Sequence, residues 1–255
     1  MIMEEYDNKP KPEPVHLHQV HQIGSNLTLP NLTNNYHLIL EHLRIEDSDV
    51  LNVYNFGSWL LGSNTPSSDR DIIIVTNSST KPLKFKNNSR NYFHQFELHT
   101  MEINSTNYDV VIYNKCQFED LLKCHFLVCL DCIFAPPEFI WKHTVDYKSF
   151  FMDYLCEAGI EHALREELNY SITVYERSVD KDYAQKTLAV KKLFNIARYY
   201  NTCSQILKHR AIVNFGECNA LKPELIGMLA DSGGDLSSVR KHVQKYLLLQ
   251  TIESM

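Results

Sequence analysis

The sequence predicts an α+β fold: a small mixed β-sheet with flanking helices, followed by a C-terminal helical region. Three observations carry that prediction. Short apolar segments between Val50 and Tyr113 read as strands, the apolar period lengthens to a helical one from Gln117, and nearly everything beyond Phe150 is helical. At 255 residues and 44% apolar content, the chain can bury a substantial core. The composition shifts divide it into an N-terminal arm (1–33), a core (34–142) and a helical part (143–255).

Residues 1–33 show no apolar period and carry Pro10, Pro12, Pro14 and Pro30, which predicts a disordered arm. His16, His18 and His21 within it read as solvated. Tyr36, Ile39, Leu40 and Leu43 recur at helical spacing, with Asn34 or Asn35 available as N-cap. Val50–Phe56 is a strand ending at Gly57-Ser58. A Pro66-Ser67-Ser68 turn leads into a second strand, Asp69–Thr76. The Asn/Ser/Lys-rich stretch after Thr76 is a loop, Phe93–Met101 a third strand, and Asp109–Tyr113 a fourth. Phe118, Leu121, Leu122, Phe126 and Leu130 predict one helix that stops before Pro136-Pro137. Tyr183–Leu207 predicts a long helix.

Charge and cysteine content exclude some functions. A net charge of −6 supplies no global basic field for nucleic acid, so any such contact needs a local patch such as Lys81, Lys84, Lys86 and Arg90. No apolar run reaches the roughly 18 residues of a membrane span. The N-terminal MIMEEYDNKPKPEP is unlike a signal peptide. Seven cysteines, an odd number, fit free thiols in a reducing compartment, so the expected location is cytoplasmic or nuclear. Cys129-x-x-Cys132 lies on one apolar helix, where cysteine packs as a small hydrophobe, and zinc would need ligands from two turns.

The stretch FGSWLLGSNTPSSDRDIIIV (Phe56–Val75) carries the chemistry. Residues two apart on a strand share a face, so Asp69 and Asp71 project together and Arg70 points away. Their Cα atoms stand about 6.5 Å apart, which suits a pair of divalent ions ~4 Å apart. Magnesium fits this role because it takes hard oxygen ligands and leaves positions for phosphate; manganese can substitute. Asp109 opens another strand in the same way and supplies a third carboxylate. Gly57 lets the backbone approach a phosphate, and Ser58 offers a hydroxyl and an N–H to it. Trp59, Leu60 and Leu61 read as core.

Gly57-Ser58, ten intervening residues, Asp69-Arg70-Asp71, an apolar strand and a later strand bearing Asp109 together resemble the hallmark of the polymerase-beta-like nucleotidyltransferase superfamily. Within it, LVCLDCIFAPPEFI (Leu127–Ile140) and KKLFNIARYYNTCSQILKHRAIVNF (Lys191–Phe215) are most similar to the RNA-repair-associated (RlaP-type) branch. Lys192, Asn195 and Arg198 fall on that branch's motif, with Asn195 where it has histidine and Asp131 where it has glutamate. The resemblance implies a two-metal transfer of a nucleoside monophosphate from a nucleoside triphosphate, ATP among them, to an acceptor hydroxyl. The acceptor it implies is an RNA end. Asp69, Asp71 and Asp109 would hold Mg²⁺. Gly57, Ser58, Lys192 and Arg198 would bind the triphosphate, with Lys191 the substitute if the register is off by one. A protein or small-molecule acceptor stays open, as does a non-catalytic nucleotide- or RNA-binding module.

Overall fold

The computed structural model describes residues 33–77, 97–178 and 182–253. The arm with His16, His18 and His21, and the basic stretch Lys81–Arg90, lie outside the described residues. The chain runs α1 (Thr33–Leu43), β1 (Val50–Phe56), α2 (Gly57–Leu60), β2 (Arg70–Thr76), β3 (Glu97–Ile103), β4 (Thr106–Asn114), α3 (Lys115–Lys123), α4 (Leu127–Ile133), β5 (Ile140–His143), α5 (Tyr147–Met152), α6 (Glu157–Ser178), α7 (Tyr183–His209), α8 (Leu221–Asp231) and α9 (Leu236–Glu253). The α+β class is as the sequence predicts.

The five strands order β3-β4-β2-β1-β5. β2 pairs parallel with β4 and antiparallel with β1; β3 and β5 close the edges in antiparallel pairing. Central β2 is apolar on both faces because both are covered. Ile72 and Ile74 pack with Val53, Tyr108 and Val110 against Tyr36, Ile39 and Leu40 of α1. Ile73 and Val75 pack with Tyr54, Val111 and Tyr113 toward α3 and α4. That second cluster continues into Tyr199, Cys203 and Ile206 of α7. The first half of α7 packs instead with α8 and α9, through Val190, Leu193, Phe194 and Leu225. The 27-residue α7 therefore joins the sheet core to the terminal helices.

The structure departs from the sequence expectations at five places. α1 begins at Thr33, ahead of both candidate caps, and Asn35 instead donates from Nδ2 to the Tyr108 hydroxyl at 2.7 Å. The third strand is described from Glu97 and runs to Ile103, two residues past its expected end, with Phe93–Phe96 outside the described residues; the fourth is longer than Asp109–Tyr113 at both ends. The helix predicted through Leu130 is two helices. His125 sits at φ 57°, its N–H bonds Leu122 O and the Phe126 N–H reaches back to Leu121 O, a Schellman closure. A left-handed histidine costs more than glycine, and here the ring offsets that cost. It is buried, with Nδ1 3.1 Å from Lys123 O and Nε2 accepting the Cys156 N–H. β5, unanticipated, is recruited by β1. The fully buried Asn52 side chain donates to Val145 O and accepts the Val145 N–H, holding the returning chain against the sheet.

Candidate active site

β1 ends at Phe56, directly opposite Asp71, and the chain turns at once into the single turn α2. Gly57 adopts φ +66°, a conformation open to glycine at little cost. A Cβ there would stand 1.9 Å from Asp71 Oδ2, so the carboxylate packs directly on the glycine. Gly57→Ala should therefore displace Asp71 or the turn. The left-handed backbone alone costs about 1–2 kcal/mol, and the expected result is a lowered thermal midpoint with at least about a tenfold loss of transfer. Turnover equal to the parent's would show that this close packing has no part in the site.

Asp71 and Asp109 are Cα partners in the parallel β2–β4 pair, and Asp69 lies two residues before Asp71 on the same face. One ligand oxygen from each of the three lies within 4.8 Å of the others, and among the described residues this is the metal-competent group. Asp69 is exposed; the other two are half-buried. Thr100 Oγ1 donates to Asp109 Oδ1 at 2.9 Å, leaving Oδ2 for chemistry. Burial, then the charges of Asp69 and Asp109, push the Asp71 carboxyl up to about 6, against the opposing pull of Lys191 and of a Ser58 backbone N–H. Three crowded hard-oxygen donors, one held above its ordinary range by burial and then by like charge, fit a divalent cation such as Mg²⁺. The Ser58 hydroxyl is buried without a hydrogen-bond partner, an orphan that a phosphate oxygen would satisfy.

The basic residues named from the sequence sit in different surroundings. Lys191, exposed on α7, is the lysine whose charge reaches Asp71. Lys222 of α8 joins it: its charge interacts with that of Lys191 while its Nζ donates to Ser63 O at 3.1 Å, beside the Gly57–Ser58 turn. Lys192 faces elsewhere, with Nζ 4.9 Å from the Tyr170 ring centroid and its charge opposed to Glu167. Arg198 is buried, bonded through Nη1 to Asp131 Oδ2 at 2.7 Å and stacked on Tyr199. Burial opposes the Arg198 charge, but Asp131 and Tyr199 outweigh it and hold the guanidinium above its ordinary value. Its Nη1 is thus engaged by protein. Asp131 and Arg198, the two charged residues that carried the branch resemblance, meet as a structural ion pair. Lys222 was missed because the helix bearing it shows no motif; only its packing brings it here.

Cys129 and Cys132 are fully buried, and burial pushes both thiols well above their ordinary value, so they are packed hydrophobes as expected. Among the described residues no helix is long and apolar enough to cross a membrane.

No curated protein matches the chain. The crystal structure of a nucleotidyltransferase-like protein from Exiguobacterium sibiricum 255-15 is similar at 12% identity, over 88% of this chain and 76% of that one, with a TM-score of 0.35. Residues 38–128, which hold the Gly57-Ser58 turn, β1 to β4 and all three aspartates, match the family model of the nucleotidyltransferase domain.

Proposed function

We propose that this protein is a divalent-metal-dependent nucleotidyltransferase that moves a nucleoside monophosphate from a nucleoside triphosphate to an acceptor hydroxyl. The observation that carries this reading is the convergence of Asp69, Asp71 and Asp109 within 4.8 Å beside the Gly57-Ser58 turn. The acceptor oxygen attacks the α-phosphorus, the bond to the β-phosphate oxygen breaks in line, and pyrophosphate leaves with that electron pair. Asp109, with Oδ2 unengaged by Thr100, takes the hydroxyl proton. Ser58 and the Lys191–Lys222 pair orient the triphosphate. Mg²⁺ or Mn²⁺ held by the three carboxylates would neutralise the phosphates and stabilise the leaving pyrophosphate. The working units are a catalytic core over 34–142 and a helical part over 143–255 that contributes both lysines.

An RNA end is the acceptor to test first. Incubating the protein with Mg²⁺, each labelled nucleoside triphosphate and separate RNA and protein pools separates the readings. Label on RNA supports the proposal with its acceptor, and label on protein keeps the chemistry and changes the acceptor. Nucleotide binding with no transfer to any hydroxyl would make the chain a binding module.

The lysines give a second test. A charge-assisted phosphate contact contributes on the order of 1.5–3 kcal/mol, or about ten- to a hundredfold in affinity. Lys191→Ala should raise the nucleotide dissociation constant by that factor, whereas Lys192→Ala and exposed Lys241→Ala should leave it near the parent's. The reverse order would return the triphosphate to Lys192.

A further inference from the structure

Between Asp69 and Asp71 stands an arginine, and its placement is costly. Arg70 is 2% exposed, and its Nη1 is buried with no hydrogen-bond partner. Burial opposes its charge. An apolar residue would fill the same space on the α1 face without stranding a guanidinium N–H. What Arg70 does touch is Trp59: the guanidinium carbon lies 3.3 Å from the centre of the indole ring. The same indole donates from Nε1 to the backbone oxygen of Asp69 at 2.9 Å. One residue earlier, the Ser58 N–H bonds the Asp71 carboxylate.

Each of the three residues Asp69, Arg70 and Asp71 is therefore gripped by the turn Gly57–Trp59. The bonds within the intervening loop, Ser63 N–H to Ser58 O and Ser68 N–H to Thr65 O, are local and do not reach Asp69, Arg70 or Asp71. We propose that Trp59 and Arg70 are positioning residues that lock the spacing between the phosphate-binding turn and the metal-binding carboxylates, with Trp59 fixing Asp69 and Arg70 fixing Trp59. This inference rests on the nucleotidyltransferase reading.

The physical case is that Asp69 most needs such help. It precedes the first residue of β2 and is exposed, so the strand ladder does not hold it. The Trp59 bond fixes its carbonyl, and with it the direction in which its carboxylate leaves the backbone. The Arg70 stack holds the indole in the plane that this bond requires. A desolvated guanidinium on an indole face is the strong form of that contact.

The experiment follows Mn²⁺ binding by the electron paramagnetic resonance of the free ion, alongside turnover, in the full chain. Trp59→Phe keeps a ring under Arg70 and removes the N–H to Asp69 together with the second ring of the indole. Arg70→Lys keeps the charge and removes the planar stack. Each should weaken Mn²⁺ binding about three- to tenfold, the size of one lost hydrogen bond. Excess Mn²⁺ should partly restore turnover in both, while the metal-free thermal midpoint of Trp59→Phe stays within a few degrees of the parent's. A merely structural role would lower that midpoint and leave Mn²⁺ affinity alone. If Arg70→Lys does not fold, Trp59→Phe decides. Parent-like Mn²⁺ affinity in Trp59→Phe, with the parent binding and turning over normally, overturns the clasp and leaves the function standing. A parent that binds no Mn²⁺ and transfers nothing overturns both.

Discussion

Asp71→Asn is expected to abolish nucleotidyl transfer while making the metal-free protein more stable. The loss, on the order of a hundred- to a thousandfold or more, follows from removing one of the three carboxylate charges that would hold the divalent ion. The gain follows from the same crowding. Burial and the neighbouring carboxylates raise the Asp71 carboxyl to about 6 from an ordinary 3.8. The folded state thus holds that proton more tightly than the unfolded chain does. The contribution of this group to stability is greatest below the ordinary carboxylate range and is lost as pH rises through about 6. A shift of this size corresponds to roughly 1–3 kcal/mol, discounted for partial exposure. Asparagine escapes that penalty and still accepts the Ser58 N–H. With chelator present, its thermal midpoint should exceed the parent's at pH 7.5 and converge on it near pH 4. Asp69→Asn should also lose transfer, with a smaller stability gain because Asp69 is exposed. Full turnover by Asp71→Asn would remove the aspartate from the chemistry altogether.

The carboxylate cluster was legible in the sequence because its geometry is local. Asp69 and Asp71 share a face by strand alternation, and an apolar run such as Ile72–Val75 announces a strand covered on both sides. Asp109 needed one further inference, that its strand pairs beside β2, and the parallel register makes it the partner of Asp71. The basic residues were not legible, for a physical reason. Lys192, Asn195 and Arg198 lie loosely on one side of α7, and periodicity alone reads such a side as polar and open. Arg198 is buried by Asp131, 67 residues away in sequence, a pairing that no local pattern encodes. Once Arg198 faces inward, Lys191 turns toward Asp71. Arg70 shows the same limit in another form. Alternation correctly sends it away from the aspartate face, but says nothing of Trp59, which stacks on it from another element. The split at His125 escaped notice because helix ends are read from glycine, and here a buried histidine takes the left-handed position.

The ion pair that joins α4 to α7 should produce the largest stability effect. Asp131 and Arg198 have side chains 6% exposed each, and burial pushes the Asp131 carboxyl up against the pull of the arginine. Asp131 Oδ1 and Arg198 Nε are buried without partners, so the pair is incompletely satisfied even when intact. Removing one member strands the other charge in the core, and Asp131→Ala should cost about 3–5 kcal/mol in denaturant unfolding. Arg198→Ala should cost a similar amount and would weaken nucleotide binding only by unfolding the protein. Replacing both, as Asp131→Leu with Arg198→Met, removes the desolvation of two charges together with their attraction and should recover most of the lost stability. That double variant separates two roles for Arg198. If the guanidinium serves the core, nucleotide affinity returns with the fold, because Ser58, Lys191 and Lys222 are untouched. If it instead reaches the triphosphate, the double variant folds yet binds nucleotide about ten- to a hundredfold more weakly. A stable double variant with that defect would restore Arg198 to the phosphate site and overturn its assignment to the core.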